Sequence, residues 1–178
     1  MQRERFLRAG LRLATLVLAL AAAGCLRPMY GPTATGERMQ DVLAAVEVAP
    51  LTTSFVLEPA AHALRNELTF KLDGTGAPQP KRYRLTVILT GDLIQAGFAL
   101  GRARGATQRA RASYVLTRIE GGSVLARGEL EASVQFELMQ QRFAAERATR
   151  EALLRVGRQL ADEIRNDLGA KLALGRGA

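Results

Sequence analysis

Residues Val124 to Leu138 read VLARGELEASVQFEL, and no other stretch limits the fold as strongly. Val124, Ala126, Leu130, Ala132, Val134, Phe136 and Leu138 fall on one side of an extended backbone. Arg127, Glu129, Glu131, Ser133, Gln135 and Glu137 fall on the other. Alternation with a period of two marks a strand buried on one face and wet on the other. The chain must therefore build a sheet with one covered face, and other apolar periodicities have to supply the cover.

Two helical stripes do so. Glu58-Pro59 opens the first, since proline suits the first helical position and disfavours helix at its predecessor. Ala61, Leu64, Leu68 and Leu72 then recur at three- and four-residue spacing, and Asp73-Gly74 closes the helix. The second helix runs from Gln140 to Leu174 with Ala152, Leu153, Val156, Leu160, Ile164 and Leu168 as its stripe. Two further strands are expected. In Lys81 to Leu100, Tyr83, Leu85, Val87 and Leu89 alternate with Arg82, Arg84, Thr86 and Thr90, with a bend at Gly91. In Ala106 to Ile119, Ala112, Tyr114 and Leu116 share a face. Thr75 to Pro80 reads as a turn, Gly101 to Gly105 as a hairpin tip, and Glu120-Gly121-Gly122-Ser123 as a tight turn. Asp41 to Pro50, with Val42, Val46 and Val48, reads as a first strand. The expected fold is α+β: a four-stranded, mainly antiparallel sheet with two helices packed on one face, in the order β-α-β-β-β-α. It occupies residues 39–174 as one domain, with residues 175–178 frayed.

The region before the domain has a different character. Met1 to Arg12 carries Arg3, Arg5, Arg8 and Arg12 against Glu4, and an apolar run follows from Leu13 to Ala23. A basic start, an apolar run too short to span a bilayer, which takes about 20 residues, and a small-residue end make a secretory signal over residues 1–24. Ala22-Ala23-Gly24-Cys25 resembles a bacterial lipobox, with Ala22 where a large aliphatic residue is usual. Cys25 is the only cysteine, so ordinary cleavage would leave an odd free thiol in an exported chain. The lipobox resemblance implies a thioether diacylglycerol and an amide-linked acyl chain on Cys25. Leu26, where aspartate would signal inner-membrane retention, implies sorting to the outer membrane. Residues 25–38 read as the lipidated N-terminus and its tether. Removing residues 1–24 takes away four arginines and one glutamate, lowering the formal charge from +8 to +5. A basic exported protein is expected to meet anionic lipid or lipopolysaccharide rather than nucleic acid.

No catalytic grouping emerges. His62 is the only histidine and sits one residue off its helix stripe, where it reads as a surface residue. There is no cluster of His and Cys ligands for a metal. Gly97, Gly101 and Gly105 lack phosphate-loop spacing. Glu129, Glu131 and Glu137 share a strand face but are spaced for solvation. The chain is expected not to be an enzyme and to need no cofactor beyond the lipid on Cys25.

Cys25 followed by Leu26-Arg27-Pro28-Met29-Tyr30-Gly31 resembles the opening of the LPS-assembly lipoproteins (LptE) of the alphaproteobacterial branch. Those tend to begin with a Cys-Gly-Phe-x-Pro-Leu-Tyr-Gly-like run. Here the glycine after the cysteine is absent, Leu26 takes the aromatic's place and Met29 replaces leucine. The element order and the Arg- and Ala-rich final helix, with Phe143-Ala144 at its start and Leu160-Ala161-Asp162-Glu163-Ile164 within it, are similar to that family across most of the mature chain. The resemblance implies an outer-membrane lipoprotein, on the periplasmic face, that plugs the β-barrel LptD and assists lipopolysaccharide delivery to the outer leaflet. The polar sheet face suits a polar barrel interior, and it would suit water equally well. Arg102, Arg104, Arg109 and Arg111, near Phe98 and Leu100, form a candidate lipopolysaccharide site, since guanidinium pairs bidentately with phosphate; a solvated hairpin tip is the alternative. An auxiliary lipoprotein of a periplasmic ABC-type lipid-transport system would carry the same basic, lipidated, non-catalytic features.

Overall fold

The computed structural model describes residues 36–74, 79–95, 104–138 and 141–174. The signal, Cys25, most of the tether, most of the Thr75–Pro80 turn, the tip with Phe98, Leu100, Gly101 and Arg102, and the tail lie outside them.

The chain opens with a short helix, α1 (Met39–Ala44), where a strand was expected. Met39, Val42 and Leu43 recur at helical spacing and are all buried, and Arg38 Nε meets Asp41 Oδ2 in the first turn at 2.9 Å. The valines suggested alternation, but Val42 belongs to this helical face. Only Val46–Val48 is extended, forming β1, parallel to Tyr83–Leu85. A second short strand, β2 (Thr52–Thr53), pairs parallel to Ile88 and Leu89, and Thr53 Oγ1 donates to Leu89 O at 3.2 Å. Two residues carry too little pattern to be read from sequence. Among the described residues the sheet thus has five strands rather than four, and three α-helices accompany it.

A 3₁₀ turn (Phe55–Leu57) leads into α2 (Glu58–Asp73), whose Leu64, Leu68 and Leu72 are buried as its stripe requires. Gly74 follows with φ of 62°, a conformation that suits glycine. Three long antiparallel strands come next: β3 (Tyr83–Gln95), β4 (Arg104–Arg118) and β5 (Val124–Leu138). Arg104 and Gly105 open β4 and do not belong to a turn. Gly121 and Gly122, with φ of 83° and 65°, make the β4–β5 turn. The order across the sheet is β1-β3-β4-β5, with β2 beside β1 along β3.

The last helix, α3 (Arg142–Leu174), packs on α2, β5 and β4. Its Val156, Leu160, Ile164 and Leu168 meet Leu64 and Leu68 of α2 and Leu85, Leu116 and Ala126 of the sheet in one core. Helices cover one sheet face, and among the described residues nothing covers the other. There Arg84, Thr86, Ile88 and Thr90 of β3 stand beside Arg111 and Val115 of β4 and Glu129 and Glu131 of β5.

One polar cluster ties α3 to the sheet. The Tyr114 hydroxyl donates to Asp167 Oδ2. Lys171 Nζ donates to Asp167 Oδ2 at 2.7 Å, Tyr114 Oη at 3.1 Å and Arg127 O at 2.7 Å, which employs all three ammonium hydrogens. A Cβ at Gly128 would lie 2.7 Å from the Tyr114 ring and 2.8 Å from Lys171 Nζ, so glycine makes room for the cluster. Burial, followed by the hydrogen bond to Asp167, pushes the Tyr114 pKa far above the ordinary phenol value. Below about pH 10 the phenol is protonated in both folded and unfolded chains. Above that, the unfolded chain loses the proton first, so folding stability falls as pH rises. Urea unfolding of wild type and Tyr114→Phe across this range should show wild type losing up to about 1.4 kcal/mol per pH unit relative to the variant. Parallel curves would remove the buried phenol as the cause.

Candidate functional site

The ends of β3 and β5 meet the starts of α2 and α3 at one end of the body. Leu93 and Leu138 from the sheet, Pro59 from α2, and Phe143, Ala145 and Leu153 from α3 line an open groove of about 690 Å³. That volume lies in the range of pockets that take small molecules, roughly 300–1,000 Å³. Phe143 is 81% exposed at its mouth. Phe55 and Val56, in the turn leading to Pro59, are 88% and 72% exposed. A contiguous exposed apolar patch marks a contact surface, which makes this end the candidate.

The charge at this end has one sign in excess. Arg142, Arg147 and Arg150 line the groove with Glu146. Arg142 Nε pairs with Glu146 at 3.1 Å, and no ion pair joins Arg147 or Arg150 to another side chain among the described residues. The first turn of α3 has no acidic residue. A helix start carries partial positive charge, so a cation there costs about 0.3–1 kcal/mol. Arg142 bears this cost in the first turn, while Arg147 and Arg150 lie in later turns and add positive charge at the rim of the groove.

The sequence-expected arginines are placed differently. Arg102 lies outside the described residues, and Arg104 is positioned by its backbone opposite Leu138. Arg109 and Arg111 do come together, beside Asp92 and Glu131, in a cleft of about 240 Å³ on the uncovered sheet face. Arg109 Nε is 3.6 Å from Glu131. Arg111 lies 3.2 Å from Glu129 and 2.9 Å from Glu131. These two guanidinium groups are matched by carboxylates and stand on the face opposite the groove. Arg142 and Arg147 were not singled out from sequence. The available signal was the row of arginines at a helix start, where the backbone dipole favours acids.

His62 is exposed, with Nε2 3.8 Å from Glu58 Oε1. Among the described residues no group of three or more His, Cys, Asp or Glu side chains could hold a metal ion, and no helix is long and apolar enough to cross a membrane.

No family model matches the chain, and no curated protein matches it. Solved structures do. A protein of Caulobacter crescentus CB15 described as a lipoprotein is 21% identical with a TM-score of 0.57, covering 76% of this chain and 96% of its own. A minor lipoprotein from Acinetobacter baumannii (15% identity, TM-score 0.48) covers 72% of this chain and 94% of its own. Rare lipoprotein B from Shewanella oneidensis (15% identity, TM-score 0.45) covers 70% and 95%. The Caulobacter likeness establishes a shared fold.

Proposed function

We propose that this protein is a non-catalytic lipoprotein of the outer membrane, of the LptE type, acylated on Cys25. Its uncovered sheet face seats within the β-barrel LptD, and its groove receives part of a lipopolysaccharide molecule during delivery to the outer leaflet. The observation that carries this reading is the groove. Apolar walls suit an acyl chain of lipid A, and Arg142, Arg147 and Arg150 at the rim suit its phosphates. The fold shared with a protein described as a lipoprotein supports the anchored location. Strands β4 and β5, of 15 residues each, span about 50 Å, enough to run through the wall height of an outer-membrane barrel, whose apolar band is about 25 Å. Exposed ion pairs such as Arg111–Glu131 give the face the polar character that a barrel lumen presents.

The test compares two sets of alanine replacements in lipopolysaccharide binding. Replacing Arg142, Arg147 and Arg150 together should weaken binding by at least about tenfold with an unchanged circular-dichroism spectrum, given about 1.4 kcal/mol per decade of affinity. Replacing Arg102, Arg104, Arg109 and Arg111 tests the hairpin site in parallel, and loss there alone would move the ligand to the outer face. Unaltered binding in both sets sinks direct recognition by arginine. Co-purification with a stoichiometric barrel supports the LptD partnership; an ABC-type lipid carrier in its place would replace it with the auxiliary lipid-transport reading.

A further inference from the structure

Among the described residues strand β5 is the end of the sheet, and the register shows which of its backbone groups have no strand partner there. Ala49 N–H donates to Leu85 O at 3.0 Å, so the odd-numbered residues of β3 bond toward β1. The even residues of β3 then bond to odd residues of β4, and the even residues of β4 to even residues of β5. The odd residues of β5 point their N–H and C=O groups at the open edge. Lys171 confirms the parity, since its ammonium donates to Arg127 O on that edge at 2.7 Å. Beyond Arg127, the edge runs from Glu129 to Glu137.

Its side chains are also incompletely covered. On β4, Ala110, Ala112, Tyr114 and Leu116 are fully buried beneath the helices, whereas Leu130, Val134 and Phe136 of β5 are only half-buried. On β5 the last helix buries Ala126 and Ala132 but leaves Leu130, Val134 and Phe136 partly in water. A further strand would complete both the backbone pairing and this apolar row.

We infer that the β5 edge, from Glu129 to Glu137, is a docking site for an extended segment of another protein, one that alternates apolar with basic or hydroxyl-bearing residues. Its apolar side would lie beside Leu130, Val134 and Phe136. Its basic side would lie beside Glu137, which no ion pair engages among the described residues, and on the outer flank of Glu129 and Glu131, whose inner flank Arg109 and Arg111 already hold. A second copy of β5 fits poorly. Antiparallel pairing centred on Ser133 opposes Glu129 to Glu137, and pairing centred on Glu131 sets that residue against its own copy; like charges in register destabilise a sheet. Glu129 and Glu131 belong to the face proposed to seat in LptD, but a closed barrel wall has no free strand to offer, so the added strand comes from a different segment and the inference does not rest on that seat.

The probe is a nine-residue peptide in which valine alternates with lysine and threonine, and its control has glutamate in place of lysine. Binding is measured by fluorescence anisotropy, with amide hydrogen exchange followed along β5. The lysine peptide should bind and slow exchange at Glu129, Glu131, Ser133, Gln135 and Glu137, while the glutamate peptide should bind at least about tenfold more weakly, as expected where charges across a sheet set the choice of strand. Ser133→Pro removes an edge N–H and leaves the β4 ladder intact, and it should abolish protection. Glu137→Lys, an exposed charge reversal, should narrow the preference for the lysine peptide even if the proline variant misfolds. Absent binding of the lysine peptide, equal binding of both peptides, or unaltered binding to a folded Ser133→Pro would overturn the inference. So would a concentration-dependent dimer abolished by Ser133→Pro, because the occupant would then be a second copy.

Discussion

Gly157→Leu should lower folding stability by about 3 kcal/mol or more, read as an early urea midpoint by circular dichroism. Gly157 sits inside α3, where glycine costs about 1 kcal/mol relative to alanine. The reason for that cost lies on the neighbouring helix. A Cβ at this position would stand 2.4 Å from Ala60 O, 3.1 Å from Ala63 Cβ and 3.1 Å from Leu64 N. Two of these are backbone atoms of α2, so no side-chain rotation relieves the contact. The helices would have to separate. Separation unseats Leu64 and Leu68 on one side and Val156, Leu160 and Ile164 on the other, all fully buried. Because α2 and α3 together roof the sheet, the gap would also admit water above Leu85 and Leu116. Gly169, one helical stretch further along, supplies the control. Nothing lies within 4 Å of a Cβ there, so Gly169→Ala should stabilise by about 0.5–1 kcal/mol through helix propensity alone. If both variants shift alike, helix propensity governs and the close approach of α2 and α3 does not.

That contrast marks how far sequence could reach. The faces of β5 and the stripes of α2 and α3 were legible because each repeats its period often enough to exclude the alternative, and Leu64, Leu68, Leu160 and Ile164 lie where periodicity puts them. Val42, Val46 and Val48 span the junction of a helix and a strand, each too short to complete a period, and the strand-like spacing misled. Gly157 and Gly128 look like ordinary helix and strand glycines until Ala60 and Tyr114 are brought against them. The groove was invisible for a related reason. Pro59, Leu93 and the Leu138–Phe143 stretch are far apart in the chain, and only the meeting of four sheet and helix ends assembles them. Charge was legible in amount but not in pairing: Arg109 and Arg111 face carboxylates that only the β4–β5 register selects.

Cys25→Ser should shift the protein wholly from the membrane to the soluble fraction, while the folded body keeps its circular-dichroism spectrum and its lipopolysaccharide affinity in detergent. The membrane effect is large because each buried acyl methylene contributes about 0.8 kcal/mol, and stable anchoring needs more than one chain. Phe55, Val56 and Phe143 are too few to replace several acyl chains, and no helix among the described residues can cross a bilayer. Folding is untouched because the described core begins at Met39, well past the cysteine. The groove is also distant from the point where the described chain enters the body. Leu43 and Ala44 of α1 lie beside Leu72 and Asp73 at the C-terminal end of α2, while Pro59 at its N-terminal end lines the groove. The 16 residues of α2 set these ends about 24 Å apart. The described chain thus enters the body at the α1 end and carries the groove at the other. Under this geometry, Cys25→Ser and the arginine replacements at the groove fail for separate reasons: the first loses location and retains binding, and the second retains location and loses binding. A mature wild-type chain that begins elsewhere than Cys25, or that carries no acyl mass, would take the anchor out of the proposal while leaving the groove to be judged by its own binding test.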